Sequence, residues 1–213
     1  VPLSFYPFGP AFRARLIGKG ENPTIMNDPQ QRARMLRLLL EPEGLGLAKL
    51  PKALIPFHKY SEDDVRTALE EHLVEGALYC KGPEDMVHLH FTLSPQHLEL
   101  VKRFYMQVKN KYETQYRVKY RAQWSVQDPR TDTIAVRPDF TPYRNAAERL
   151  EFRPAGHGAL LVNLQSIEQD LIFIKNIDNV APDRLKPESM LYKKALAGLL
   201  LTMRDTIFGY LEQ

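Results

Sequence analysis

The stretch Val87-His88-Leu89-His90-Phe91-Thr92-Leu93 decides the fold class, because its apolar residues fall on every second position. That period of two marks a strand with one face in a core and one polar face. Ser94-Pro95 follows, and a proline at the first helical position is a helix start. Leu98, Val101, Tyr105, Val108 and Tyr112 then recur at helical spacing. Beyond them Tyr116, Val118, Tyr120, Ala122, Trp124 and Val126 alternate with Arg117, Lys119, Arg121, Gln123 and Ser125, a second long strand with a polar face. Strand, helix and strand in succession predict an α/β chain.

Toward the N-terminus, Asp28-Pro29 offers a helix cap and a first-turn proline. Arg32 to Leu40 supplies helix formers until Pro42 and Gly44 end them. Leu50 to Phe57 is mostly apolar with prolines near both ends, which predicts a strand or an extended loop. Ser61 and Asp64 have the spacing of a capping box. Val65, Ala68, Leu69, His72, Leu73, Gly76, Ala77 and Cys80 then follow the period of a helix.

Toward the C-terminus, residues 127–151 are rich in Pro, Asp, Arg and Thr around a short Thr133 to Val136 strand, and they are expected to lie over a sheet edge. Ala159, Leu160, Leu164 and Ile167 read as a helix. The continuous run Leu171-Ile172-Phe173-Ile174 reads as a strand buried on both faces, as in a mostly parallel sheet. An amphipathic helix from about Pro187 to Leu211 completes the pattern. The whole predicts a three-layer α/β/α fold in a single domain spanning residues 1–213, without repeats or linkers.

Bulk properties exclude several classes. Lys+Arg number 29 against 26 Asp+Glu, a net charge of +3 spread along the chain, so nucleic acid is not an expected partner. No apolar run approaches the ~20 residues that span a bilayer, so no membrane segment is expected. The single Cys80 precludes an internal disulfide, and no secretory leader pattern is visible, which makes the cytoplasm the expected location. The chain starts at Val1 rather than Met, which leaves open that it is N-terminally incomplete. The oligomeric state is not legible.

Ligands of open α/β sheets bind beyond the carboxyl ends of the strands, so the residues after the buried run come first. Asp178, within Lys175-Asn176-Ile177-Asp178-Asn179, either holds a Mg²⁺ that also touches phosphate oxygens or caps a turn. Gly156-His157-Gly158 either lets the backbone approach a flat ligand ahead of a helix start or forms a tight turn. Lys52 is a lone cation in an apolar stretch, and burying an unpaired ammonium is costly, so it either reaches solvent or meets an anion. His88 and His90 share one strand face without a third ligand spaced nearby, and read as polar-face histidines. Cys80 reads as a core thiol.

Taken in order, these segments resemble the UDP-glucose pyrophosphorylase family, in which a Pro-Pro-Gly-His-Gly-Asp stretch precedes a helix and an apolar strand ending in Asn-x-Asp-Asn. The matching residues are Arg153-Pro154-Ala155-Gly156-His157-Gly158 and Phe173-Ile174-Lys175-Asn176-Ile177-Asp178-Asn179. Pro51-Lys52-Ala53-Leu54-Ile55-Pro56 is similar to the Pro-Lys stretch of sugar nucleotidyltransferases, and Gln127-x-Pro129 to the glutamine near the base. The wording of Glu70 to Ala77 and Thr131 to Val136 resembles more closely still a bacterial family of functionally uncharacterised proteins with this fold.

The resemblance implies a nucleotide-diphospho-sugar transferase-like fold with a mostly parallel mixed sheet. It further implies a Mg²⁺-dependent transfer joining a nucleoside triphosphate, UTP favoured, to a sugar 1-phosphate with release of pyrophosphate. Lys52 and Lys175 would serve the phosphates, Gln127, Gly156, His157 and Gly158 the base, and Asp178 the metal. Two departures point to an alternative, a nucleotide or nucleotide-sugar binding module without catalysis. Gly9-Pro10-Ala11-Phe12-Arg13 is a degenerate counterpart of the family's phosphate loop, since Pro10 lacks an N–H, and Ala159 stands where the family has Asp.

Overall fold

The computed structural model describes residues 5–20, 29–154 and 156–212, so Val1, Asp28 and Ala155 lie outside what is described, as does the side chain of His157. Two helices open the chain, α1 (Gly9–Gly18) and α2 (Pro29–Leu40). Phe12, Leu16 and Leu38 form a small core of their own between them. The first helix corrects the expectation of a relic phosphate loop. Pro10 sits in its first turn, where a missing N–H costs nothing.

Strands β1 (Pro56–Lys59) and β2 (Val65–Thr67) pair antiparallel. This moves the helix start predicted at Ser61. The Ser61 hydroxyl accepts from the backbone N–H groups of Asp63 and Asp64 and so closes the hairpin turn. The capping box is instead built by Thr67 and Glu70 at the start of α3 (Ala68–Tyr79).

Strand β3 (Met86–Leu93), helix α4 (Leu98–Tyr116) and strand β4 (Lys119–Val126) follow as expected, and the strands pair in parallel. The helix runs on to Tyr116 and ends at Arg117, which adopts a left-handed conformation. The register sets Val87 against Tyr120, Leu89 against Ala122 and Phe91 against Trp124. Those apolar side chains share one face, and α3 and α4 pack on it with Leu69, Leu73, Val74, Val101, Tyr105 and Tyr112 to form the main core. Fully buried Leu73 shows the strength of this packing, since truncation of such a residue to Ala costs about 2–5 kcal/mol. The opposite face carries His88, His90, Thr92, Arg121, Gln123 and Ser125.

Two short strands, β5 (Thr133–Ile134) and β6 (Phe152–Arg153), pair antiparallel and frame the 127–151 connection. Helix α5 (Leu161–Gln165) follows a single 3-10 turn at His157–Leu160. The long helix α6 (Lys186–Leu211) ends the described chain.

The fold is therefore mixed α/β, with three two-stranded sheets among the described residues. The expected three-layer arrangement around one mostly parallel sheet does not form. The reason lies in Leu171 to Ile174, which is not a strand. These residues carry no regular secondary structure, Ile174 is largely exposed, and Phe173 turns onto Tyr79 of α3 with ring centroids 5.0 Å apart. A continuous apolar run suits burial on two faces, but here it receives only partial cover, with Phe173 against α3.

Candidate functional site

An open cleft of about 1560 Å³ lies between α3, the β3–β4 pair and the segment from Gly158 to Asp178. Lys52, Lys175, Asp178 and Gly158 line it. So do His88, His90, Thr92, Arg121 and Gln123 from the polar sheet face.

Lys52 and Asp178, separated by 126 positions, meet here. The Lys52 ammonium donates to Asp178 Oδ2 at 2.7 Å, and both side chains remain substantially exposed. A 3-10 turn of Lys52–Leu54 buries Ala53 and Leu54 and leaves Lys52 directed outward. The lysine holds the Asp178 carboxyl below its ordinary pKa. The site thus presents an ionised carboxylate and an ammonium side by side at solvent.

Asp178 is positioned from beneath by a residue whose helical spacing alone gave no sign of this role. His72 of α3 donates from Nε2 to the carbonyl of Ile177 at 3.0 Å. Burial pushes the His72 pKa down, and the carbonyl acceptor requires hydrogen on Nε2.

Lys175 lies elsewhere in the electrostatics. Its ammonium pairs with Glu75 of α3, and the two side chains are 11% and 5% exposed. Burial lowers the Lys175 pKa against the pull of Glu75. Burial alone would raise Glu75, but Lys175, the Tyr79 hydroxyl and the Ala181 N–H together hold it below its ordinary value. Lys175 is accordingly a fastener between the Asp178 segment and α3, and its charge is already matched.

A second fastener lies further along. Glu71, fully buried, accepts from His58, Tyr60 and Lys186, while Asp183 accepts from Arg66 and Lys186 at 2.8 Å each. The signal for both fasteners was present but unread, since Glu71 and Glu75 stand four positions apart on a helix whose neighbours are mostly apolar.

The polar sheet face has its own order. Ser125 Oγ is met by His90 Nε2 at 2.8 Å, by Thr92 Oγ1 at 3.0 Å and by the Asn163 amide at 2.9 Å. Asn163 also donates to the Val126 carbonyl, tying α5 to the sheet. His88 and Arg121 stand opposite one another in the register.

The residues expected to read a base are less unified. Gly156 has φ 81°, a conformation that favours glycine, at the turn into the His157–Leu160 segment. Gly158 borders the cleft. Gln127 does not line it, and its amide donates to Thr131 and Asp132 within the neighbouring loop. Cys80 borders the cleft, but burial pushes its thiol up to about 11, the state of an unreactive core cysteine.

No group of three or more His, Cys, Asp or Glu side chains among the described residues could enclose a metal. A Mg²⁺ needs no such cage, since it is commonly held by one or two carboxylates together with phosphate oxygens and water. The accessible Asp178 carboxylate fits that mode. Among the described residues no helix is long and apolar enough to cross a membrane.

The family model described as Domain of unknown function (DUF4301) matches residues 2–213. No curated protein and no solved structure matches the chain.

Proposed function

The chain belongs to the DUF4301 family, whose description names no activity, and from the cleft itself we propose a nucleotidyltransferase that joins a nucleoside triphosphate to a sugar 1-phosphate. The observation that carries this reading is the meeting of Lys52 and Asp178 at the cleft, from two motifs 126 positions apart that resemble the phosphate and metal motifs of UDP-sugar pyrophosphorylases. The parallel β3–β4 pair supplies one wall of that cleft through its polar face.

In the reaction a sugar phosphate oxygen attacks the α-phosphorus of the triphosphate. The new O–P bond forms as the bond to the β-phosphate bridging oxygen breaks, and pyrophosphate leaves with that electron pair. No covalent bond to the protein is needed, so the protein contributes alignment and charge. Lys52 neutralises charge on the transferring phosphate. Asp178 would hold Mg²⁺, which when bound neutralises phosphate charge. On binding, the triphosphate would draw Lys52 off Asp178 and leave that carboxylate available to a metal. Gly158, at the cleft border, lets the backbone come close to the base, and UTP is the nucleotide that the family resemblance favours. The Gln123 amide and the second lone pair of Thr92 on the polar sheet face offer hydrogen bonds to sugar hydroxyls.

A second reading, nucleotide binding without turnover, is favoured by the pairing of Lys175 with Glu75 and by the helical state of Gly9–Gly18. A panel of nucleoside triphosphates and sugar 1-phosphates with Mg²⁺, read by pyrophosphate release and thermal shift together, separates the two. Release that is lost in Asp178→Ala supports the transferase. Stabilisation without release supports the binding module, and silence in both assays removes both readings.

A further inference from the structure

Helix α6 presents two different faces. Met190, Lys193, Ala197, Leu201 and Arg204 are half-buried and recur at steps of three and four residues, so this face lies toward the body. Lys193 confirms it by resting over the rings of Tyr79 and Phe173, at 5.2 and 5.7 Å.

The other face is the anomaly. Tyr192, Leu196, Leu199, Leu200, Met203, Ile207 and Tyr210 fall within about 100° of arc on a helical projection. All seven are exposed, from 54% for Leu200 to 72% for Tyr210, and no charged residue interrupts them. A single exposed leucine is ordinary, but a continuous apolar stripe of this length on a soluble surface marks a contact. With on the order of 100 Å² exposed on each large side chain, the stripe offers roughly 700 Å². That approaches the ~800 Å² per partner of a standard stable interface.

The spacing identifies the occupant. The stripe is nearly symmetric about Leu201. Running a second copy antiparallel sets Tyr192 against the partner's Tyr210, Leu196 against the partner's Ile207 and Leu199 against the partner's Met203. A two-fold interface requires a surface complementary to itself, and this stripe has that property in its residue order.

We propose that α6 is a homodimerisation helix, pairing antiparallel with α6 of a second copy of this chain about an axis near Leu201.

The test is sedimentation of the intact protein at micromolar concentration, with Leu199→Glu and Met203→Lys variants. Both positions are solvent-exposed in the single chain, so the variants should keep the wild-type circular dichroism spectrum. A dimer is expected for wild type. A charge in the centre of the stripe should weaken it about tenfold or more in each variant alone. Mixing the two variants should restore dimers, because the antiparallel register then places Glu at 199 beside Lys at 203 of the other copy. A monomeric wild type, variants that dimerise unchanged, or a mixture that stays dissociated would each overturn the proposal.

Discussion

Replacing Lys175 with Met separates fastening from chemistry. In the folded chain Lys175 and Glu75 are 11% and 5% exposed, so removal of the ammonium leaves a buried carboxylate without its cation. Breaking a buried pair in this way costs about 3–5 kcal/mol. Glu75 keeps two donors, the Tyr79 hydroxyl at 2.9 Å and the Ala181 N–H at 3.3 Å, which argues for the lower end, about 3 kcal/mol. With a urea slope of about 2 kcal/mol/M, the midpoint should fall by about 1.5 M at unchanged slope. The assay is urea unfolding followed by far-UV circular dichroism, alongside Glu75→Gln and the double variant. Because the two residues touch, the double variant should lose less than the sum of the singles. A midpoint shift under about 0.3 M, combined with loss of ligand binding, would refute the assignment and return Lys175 to the substrate.

Lys52→Ala and Asp178→Ala should behave in the opposite way, with nearly unchanged urea midpoints. The nucleotide-induced thermal shift should be lost, and kcat/KM for pyrophosphate release should fall about 100-fold or more. Gln127→Ala should leave base preference untouched and cost only about 0.5–1.5 kcal/mol, since its amide serves the adjacent loop, as competition between nucleoside triphosphates and urea unfolding would check. Stability should decline in acid in two stages. The folded pKa of His72 is depressed, so its contribution is present above the ordinary value of about 6.5 and is lost as pH falls through the lower folded value. The depressed Glu75 and Asp183 carboxyls act likewise below about 4.5. Urea midpoints across pH should show the first stage missing in His72→Gln.

Alternation made the β3–α4–β4 unit legible, because its period-two strands and period-3.6 helix differ in the spacing of the same apolar residues. Long local patterns of this kind survive folding. Leu171 to Ile174 did not, since an apolar run records a preference for cover and not whether a strand or a helix supplies it, nor how complete it is. Ser61 misled for a related reason: hydroxyl caps of turns and of helices share one chemistry, and only the hairpin's pairing distinguishes them. At the site, motif order singled out Lys52 and Asp178, and these two side chains meet in the cleft. Lys175 and Gln127 were assigned by the same resemblance, but their partners, Glu75 at a distance of 100 positions and the Thr131–Asp132 loop, left no trace in that comparison. The supporting role of His72 was likewise invisible, since it consists of one bond to a backbone carbonyl 105 positions away.

The spread of those sequence separations has a kinetic consequence. The α3, β3, α4 and β4 elements form one core from a contiguous stretch of about sixty residues, whereas the Lys175 to Asp178 end of the cleft wall is held by bonds spanning 100 to 126 positions. Loop closure over such distances must be met before those bonds give any return. The central unit is therefore expected to condense first and the Lys175 to Asp178 end of the cleft wall to dock last. In the native protein the same end should detach first, so amide hydrogens there should exchange with solvent well before those of β3 and β4, and a bound nucleotide should slow them selectively.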